Sequence, residues 1–235
     1  MLIATPGLVL HTVPYSESSV VAKVFTRQLG LRSYIVKGVR GPRSRVKQNM
    51  LQPLSSLDMV VYDSHRSDLN HVKELAPRHP GHTPGPVGNA LRFFMTEVLY
   101  KTLREEEPMP QLWDYVEGVN EEWCADEGGR GNAPIVFLLN VARHLGIEPM
   151  DNHSPHEPYF SLDDGRYVGA PGETTLPAPL SATLHGYLAR QEADRPSAPL
   201  KERTDLLNAL LAYYQLHLAG FGNFHSHEIL HTVLK

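Results

Sequence analysis

Between Lys23 and Lys47 the sequence places eight cationic side chains, Lys23, Arg27, Arg32, Lys37, Arg40, Arg43, Arg45 and Lys47, with no carboxylate among them. One sign of charge at that density suits one kind of chemistry, the capture of a polyanion by displacing the counterions of successive phosphates. The last four fall in a loop-like run, Arg-Gly-Pro-Arg-Ser-Arg-Val-Lys, over residues 40–47. A basic loop flanked by strands can grip a phosphate backbone while nearby aromatic rings stack on bases. Tyr34, Phe25, Tyr15 and Tyr62 are the candidates for stacking, although on alternating strands about half of such rings face a core instead.

A second constellation lies at residues 225–231. His225, His227, Glu228 and His231 read H-x-H-E-x-x-H. His227 and His231, four apart, would share a helical face as zinc ligands do, with Glu228 placed as the base of a zinc-dependent hydrolase. Two points weigh against that reading. A five-residue match is common in a chain with 13 His, and it lies four residues from the end of the sequence, where little remains to wall a cleft. The single cysteine, Cys124, excludes an intramolecular disulfide and any site of two or more thiolates. No G-x-x-x-x-G-K loop occurs, so no ATP hydrolysis is expected. Glu105-Glu106-Glu107 reads as a solvated face.

The elements that must position these residues divide by charge and by period. Residues 1–80 hold 11 Lys or Arg against 5 Asp or Glu, a formal +6, whereas residues 81–235 hold 11 against 21, a formal −10. A pI near 6.3 thus conceals a basic module joined to an acidic one. Residues 7–13, 20–26, 31–39, 57–62 and 69–75 read as five short strands, and a basic, aromatic-bearing set of five points to a small closed barrel of the oligonucleotide/oligosaccharide-binding (OB) type.

The Pro- and Gly-rich run 76–88 can continue neither strand nor helix interior, which places a domain boundary near residue 80. Beyond it the period becomes helical. Apolar residues at 91–103, 112–123, 135–145, 180–191 and 201–218 define helices, the third apolar almost all round, with an irregular insertion at 149–179. The expected class is therefore α+β, an OB barrel over 1–80 followed by a mostly helical domain over 81–235. No apolar run approaches the roughly 20 residues that span a bilayer, so a cytoplasmic protein is expected.

Read in order, these residues resemble the bacterial recombination mediator family RecO. Gly7-Leu8-Val9-Leu10, the turn Tyr15-Ser16-Glu17-Ser18-Ser19, Val24-Phe25-Thr26 before Leu29-Gly30, Lys37-Gly38-Val39-Arg40 and Gln52-Pro53-Leu54 follow that family's pattern, and Tyr213-Tyr214-Gln215-Leu216-His217-Leu218 with Gly220-Phe221 is similar to the closing helix of one branch. The resemblance implies a non-enzymatic role in recombinational repair. It implies binding of single- and double-stranded DNA, annealing of complementary strands, and help in loading RecA together with RecR. It also implies that single-strand-binding protein docks its acidic C-terminal tail in an apolar groove of the helical domain, where Arg130, Arg143 or Arg203 could supply the cation.

Many members hold zinc on four cysteines after the buried helix. Here Asp151, His153 and His156 stand in that region with no thiol, so no metal and no cofactor is expected. An RNA-binding factor on the same barrel is the main alternative, because RNA also presents phosphates and π-faces.

Overall fold

Alternation of β-branched residues builds the first part of the chain. The computed structural model describes residues 1–39, 48–63, 69–79, 84–125, 130–189 and 198–233, the side chains of 48, 124, 125, 130, 229 and 231–233 excepted. Five strands, β1 (Leu2–Pro14), β2 (Ser19–Thr26), β3 (Gly30–Lys37), β4 (Ser56–Tyr62) and β5 (Leu69–Pro77), close into a barrel in the order β1-β2-β3-β5-β4. Every pairing is antiparallel except β3 with β5, which run parallel through Ser33↔Leu69 and Ile35↔His71. Closure removes the exposed edges that a five-stranded sheet would otherwise present.

Side-chain parity explains the core. Val9, Ala22, Val24, Tyr34, Val36, Leu57, Met59 and Val61 form one buried cluster. Residues of opposite parity, Leu8, Phe25 and Leu31, are equally buried, so this part of the barrel is covered on its outer face as well. Helices α1 (Pro86–Thr102) and α2 (Pro110–Ala125) supply cover: α1 packs on β1, and from α2 the Trp113 indole donates to the Phe25 carbonyl at 3.0 Å and the Asn120 amide to the Leu54 carbonyl at 3.1 Å.

The chain therefore divides into compact units Met1–Glu127 and Gly128–Lys235. The compositional boundary near residue 80 falls inside the first unit, because α1 and α2 pack against the barrel that precedes them. Counted by unit, the first holds 14 Lys or Arg against 15 Asp or Glu. The basic barrel is balanced by its own helices.

The segment joining α1 to α2 docks on the start of β3. Leu31 forms a parallel bridge with Glu105, and the Glu106 N–H donates to the Leu31 carbonyl at 3.0 Å. Two positions are strained or shaped for it: Glu106 has φ +63°, and Gly30 has φ +69° with the Glu107 backbone where a Cβ would stand. Only glycine takes that conformation and that approach together at low cost.

In the second unit, α3 (Ala133–His144) is the buried helix, with Ile135, Phe137, Leu138 and Val141 each at most 1% exposed. Tyr214, on α5 (Leu200–His217), donates to the Leu138 carbonyl at 2.6 Å. The insertion contains a hairpin, β6 (Tyr159–Ser161) with β7 (Arg166–Val168), and then α4 (Ala178–Leu188). Asn152 fixes it by pairing with Tyr167 as a strand would, accepting from its N–H at 2.8 Å and donating to its carbonyl at 3.0 Å. A last helix, α6, spans Ser226–Val233.

Gly30→Ala should lower the stability of the first unit by more than about 2 kcal/mol, since it adds left-handed strain to a clash with backbone. Urea unfolding followed by tryptophan fluorescence measures this, because Trp113 and Trp123 both lie in that unit.

Candidate nucleic-acid interface

The cations of the barrel fall into two groups at opposite ends of β3. At the Gly30 end they are neutralised. Lys23, on β2, places its ammonium 2.7 Å from Glu105 and 5.2 Å from the centre of the Tyr100 ring. Arg27, in the β2–β3 turn, forms a bidentate pair with Asp114 of α2 at 2.6 and 2.8 Å. This contact holds the Asp114 carboxyl below its ordinary range and raises the Arg27 guanidinium, in each case chiefly through the hydrogen bond they share.

Arg32 faces inward and is 7% exposed. Its Nη1 donates to the equally buried Asp63 at 2.9 Å, with Glu106 at 3.9 Å. Lys23, Arg27 and Arg32, expected to meet phosphates, are instead bound to carboxylates. Arg32 is an internal ion pair, and a buried charge with a bonded partner is not available to a ligand without a large penalty.

Tyr34 also requires correction. Its ring is fully buried in the barrel core, because on β3 it shares the inward parity of Val36. Burial pushes the phenol up to about 12, against smaller opposing pulls from the Thr26 side chain and Arg32. Its hydroxyl makes no hydrogen bond of good geometry. Phe25 is buried under α2. Neither ring can stack on a base in this fold. Tyr15 and Tyr62, by contrast, are 59% and 48% exposed.

The other end of β3 is open. Lys37 is exposed and makes no ion pair with any described residue. It lies opposite Ser19, whose carbonyl accepts from the Tyr15 N–H at 3.0 Å, so Tyr15 and Lys37 share one corner of the barrel. Val39 is tied there too, its N–H donating to the Ser18 carbonyl at 3.0 Å. Arg40, Arg43, Arg45 and Lys47 follow directly in sequence but lie outside the described residues.

Tyr62 pairs with His71, which in turn pairs with Ile35, so Tyr62 lies two strands across the sheet from a point two residues before Lys37. A cleft of about 740 Å³ adjoins this corner, lined by Lys37 and Lys73 together with Ala4, Pro6, Asp58 and Glu74. From Lys37 back to Leu31 is six residues, about 20 Å at strand rise. That is beyond the ~8–10 Å over which salt leaves exposed charges in communication. The carboxylates docked at Leu31 therefore do not cancel the field at Lys37.

In the second unit a small apolar depression of about 30 Å³ is lined by Pro134 and Ile135 of α3, Leu200 and Leu207 of α5, and Leu230 of α6, with Arg203 at its side. The Arg203 guanidinium lies over Gly131, where a Cβ would overlap it. Among the arginines considered from sequence, Arg143 is held by Glu148 at 2.6 Å, and the Arg130 side chain lies outside the described residues. His227 is half-buried and Glu228 exposed on α6, while the His231 side chain lies outside the described residues, so the H-E-x-x-H spacing gains no geometry. No helix among the described residues is long and apolar enough to cross a membrane.

A closed five-stranded OB-like barrel continued by helices is the architecture of a nucleic-acid-binding class of protein. Comparison with known proteins makes this particular. The family model for the recombination protein O N terminal matches residues 1–80, and that for its C terminal matches residues 87–226. The chain belongs to the RecO family of DNA repair proteins. It is 29% identical to the DNA repair protein RecO of Phocaeicola vulgatus over 98% of both chains, and 28% identical to that of Porphyromonas gingivalis strain W83 over 99% of both. It is 26% identical to that of Christiangramia forsetii, again over 99% of both. The family acts in DNA repair and is not enzymatic.

Arg32→Ala should destabilise the protein by about 3–5 kcal/mol, because it breaks an ion pair buried in the barrel. Tyr34→Phe should be neutral or stabilising, by up to about 1 kcal/mol, because it removes a buried hydroxyl without a bonded partner. Paired denaturant titrations check both. A Tyr34→Phe variant as unstable as Arg32→Ala would contradict this placement.

Proposed function

We propose that this protein is a recombination mediator that holds DNA at the Lys37 corner of its barrel. Single strands, and the backbone of double strands, are gripped by Lys37 with Arg40, Arg43, Arg45 and Lys47, and exposed bases stack on Tyr15 and Tyr62. The observation that carries this reading is the adjacency of Tyr15 and Lys37 at the entrance to residues 40–47, with nothing anionic paired to Lys37 among the described residues. Two strands held by charge and stacking, without sequence readout, can pair with each other, which is annealing without ATP.

The depression beside Arg203 suits a short apolar segment ending in acidic groups, and the C-terminal tail of single-strand-binding protein has that chemistry. Bound to that protein on DNA, and working with RecR, the molecule would help place RecA on the strand. Its work would then be cytoplasmic, at the nucleoid.

If four to six phosphates are neutralised, log affinity for a single strand should fall against log salt with a slope of about −3 to −4, from about −0.7 per contact. Arg43→Glu with Arg45→Glu should abolish binding to all sequences alike, while Lys23→Ala should change it less than about threefold, because Lys23 is already paired. Fluorescence anisotropy with oligonucleotides measures these effects, and unchanged affinity of the double variant at low salt would refute the placement. For the depression, Arg203→Glu should weaken a labelled acidic tail peptide at least about tenfold while leaving DNA affinity intact. Equal loss of both would mean that the unit had unfolded.

A further inference from the structure

Where β5 ends and α2 passes, three potential metal ligands converge. The ligand atoms of His79, Glu117 and Glu121 lie within 4.8 Å of one another. His79 Nε2 is 3.0 Å from Glu117 Oε1 and in contact with Glu121 Oε1. Glu117 and Glu121 are four apart on α2 and so present their carboxylates on one face. Ligands bound to one zinc ion at about 2.0–2.2 Å stand roughly 3.5 Å apart, so these three can close on an ion by side-chain rotation alone.

A second observation points to a ligand at this place. Glu117 is 7% exposed, and its two oxygens are unequally served. Oε1 takes the Ser56 hydroxyl at 2.6 Å, the Arg78 guanidinium at 3.3 Å and His79, whereas the buried Oε2 has no partner. One turn on, the Asn120 side-chain oxygen is also buried without a partner. Orphaned buried acceptors are rare because each forfeits its solvation.

Charge points the same way. Asp58 and Glu117 share Arg78, whose Nη1 is 2.8 Å from Asp58 and whose Nε is 3.3 Å from Glu117, while Glu121 meets His79. Three carboxylates thus share one guanidinium and one imidazole. Imidazole with carboxylates favours a borderline first-row cation over calcium or magnesium.

We propose that His79, Glu117 and Glu121 form a zinc site that fastens α2 to the end of β5, with Glu121 and His79 open enough to solvent to admit the ion and leave a fourth position to water. The site is separate from the missing four-cysteine motif, which belongs to the insertion after α3, and it lies in the barrel unit. It bridges the strand that ends the basic barrel and the helix whose Asp114 holds Arg27, so a bound ion would stabilise that docking.

The test uses the full chain, stripped of metal by chelator and titrated with zinc against a chromophoric chelator. One zinc per chain is expected, with the thermal midpoint of unfolding raised on addition. His79→Gln and Glu121→Gln should each weaken binding at least about tenfold and abolish the thermal shift. Both lie at partly exposed positions and should keep the native circular dichroism. A His227→Gln, His231→Gln double variant should bind as the parent does. Absence of zinc binding, or binding that survives in Glu121→Gln and is lost in the His227, His231 variant, would overturn the assignment. DNA affinity read in parallel separates this outcome from failure of the DNA-binding proposal.

Discussion

The structure of the first unit depends on the docking of the α1–α2 connection and α2 onto the barrel. Gly30 admits the Glu107 backbone, Leu31 bonds to Glu106, the Trp113 indole reaches the Phe25 carbonyl, and Asn120 reaches Leu54, itself at φ +54°. These contacts bury the part of the outer face that carries Leu8, Phe25 and Leu31, which a free-standing barrel would leave to solvent. They also bring Glu105, Glu106 and Asp114 to the cations of the Gly30 end. One packing event thus sets both the extent of the core and the sign of the surface field.

The consequence for function is polarity. A barrel with a formal +6 could bind polyanions anywhere on its surface, with no preferred register for a strand. Covering one end with carboxylates leaves Lys37, beside Tyr15, as the exposed cation at the other end, and this is where the proposed capture of a phosphate and stacking of its base would coincide. The exposed pairs Lys23–Glu105 and Arg27–Asp114 are individually weak, so their role is to cancel local charge rather than to hold the fold. The buried Arg32–Asp63 pair is structural, and removing either partner would break an ion pair inside the barrel.

Much of this was legible in the sequence. β-branched alternation marks all five strands, Pro and Gly mark their ends, and the apolar saturation of 135–145 marks the buried helix. What the sequence did not reveal was the pairing of Lys23, Arg27 and Arg32, for a definite reason. A run of like charge reveals its sign, but the carboxylates that neutralise Lys23, Arg27 and Arg32 lie at 105, 114 and 63, and no local pattern links them. Glu105-Glu106-Glu107 reads as solvated, yet it is an interface, because the signal for docking is a glycine 75 residues earlier. Tyr34 was recoverable: it shares parity with Val36, opposite the small residue Ala22, which marks an inward face. The compositional boundary near 80 tracks the end of the barrel and the division between the two family models, but not the end of the compact unit, since composition does not record what α1 and α2 pack against.

The central claim is that DNA occupies the Lys37 corner and leaves the Gly30 end untouched. The direct measurement is the change in backbone amide chemical shifts when a short oligothymidine is added to the isotope-labelled protein at low salt. Perturbations centred on Tyr15, Lys37, Tyr62 and His71, with Lys23, Arg27 and Glu105 unchanged, are the predicted result. Perturbations centred on Lys23, Arg27 and Asp114, with the Lys37 corner silent, would contradict it.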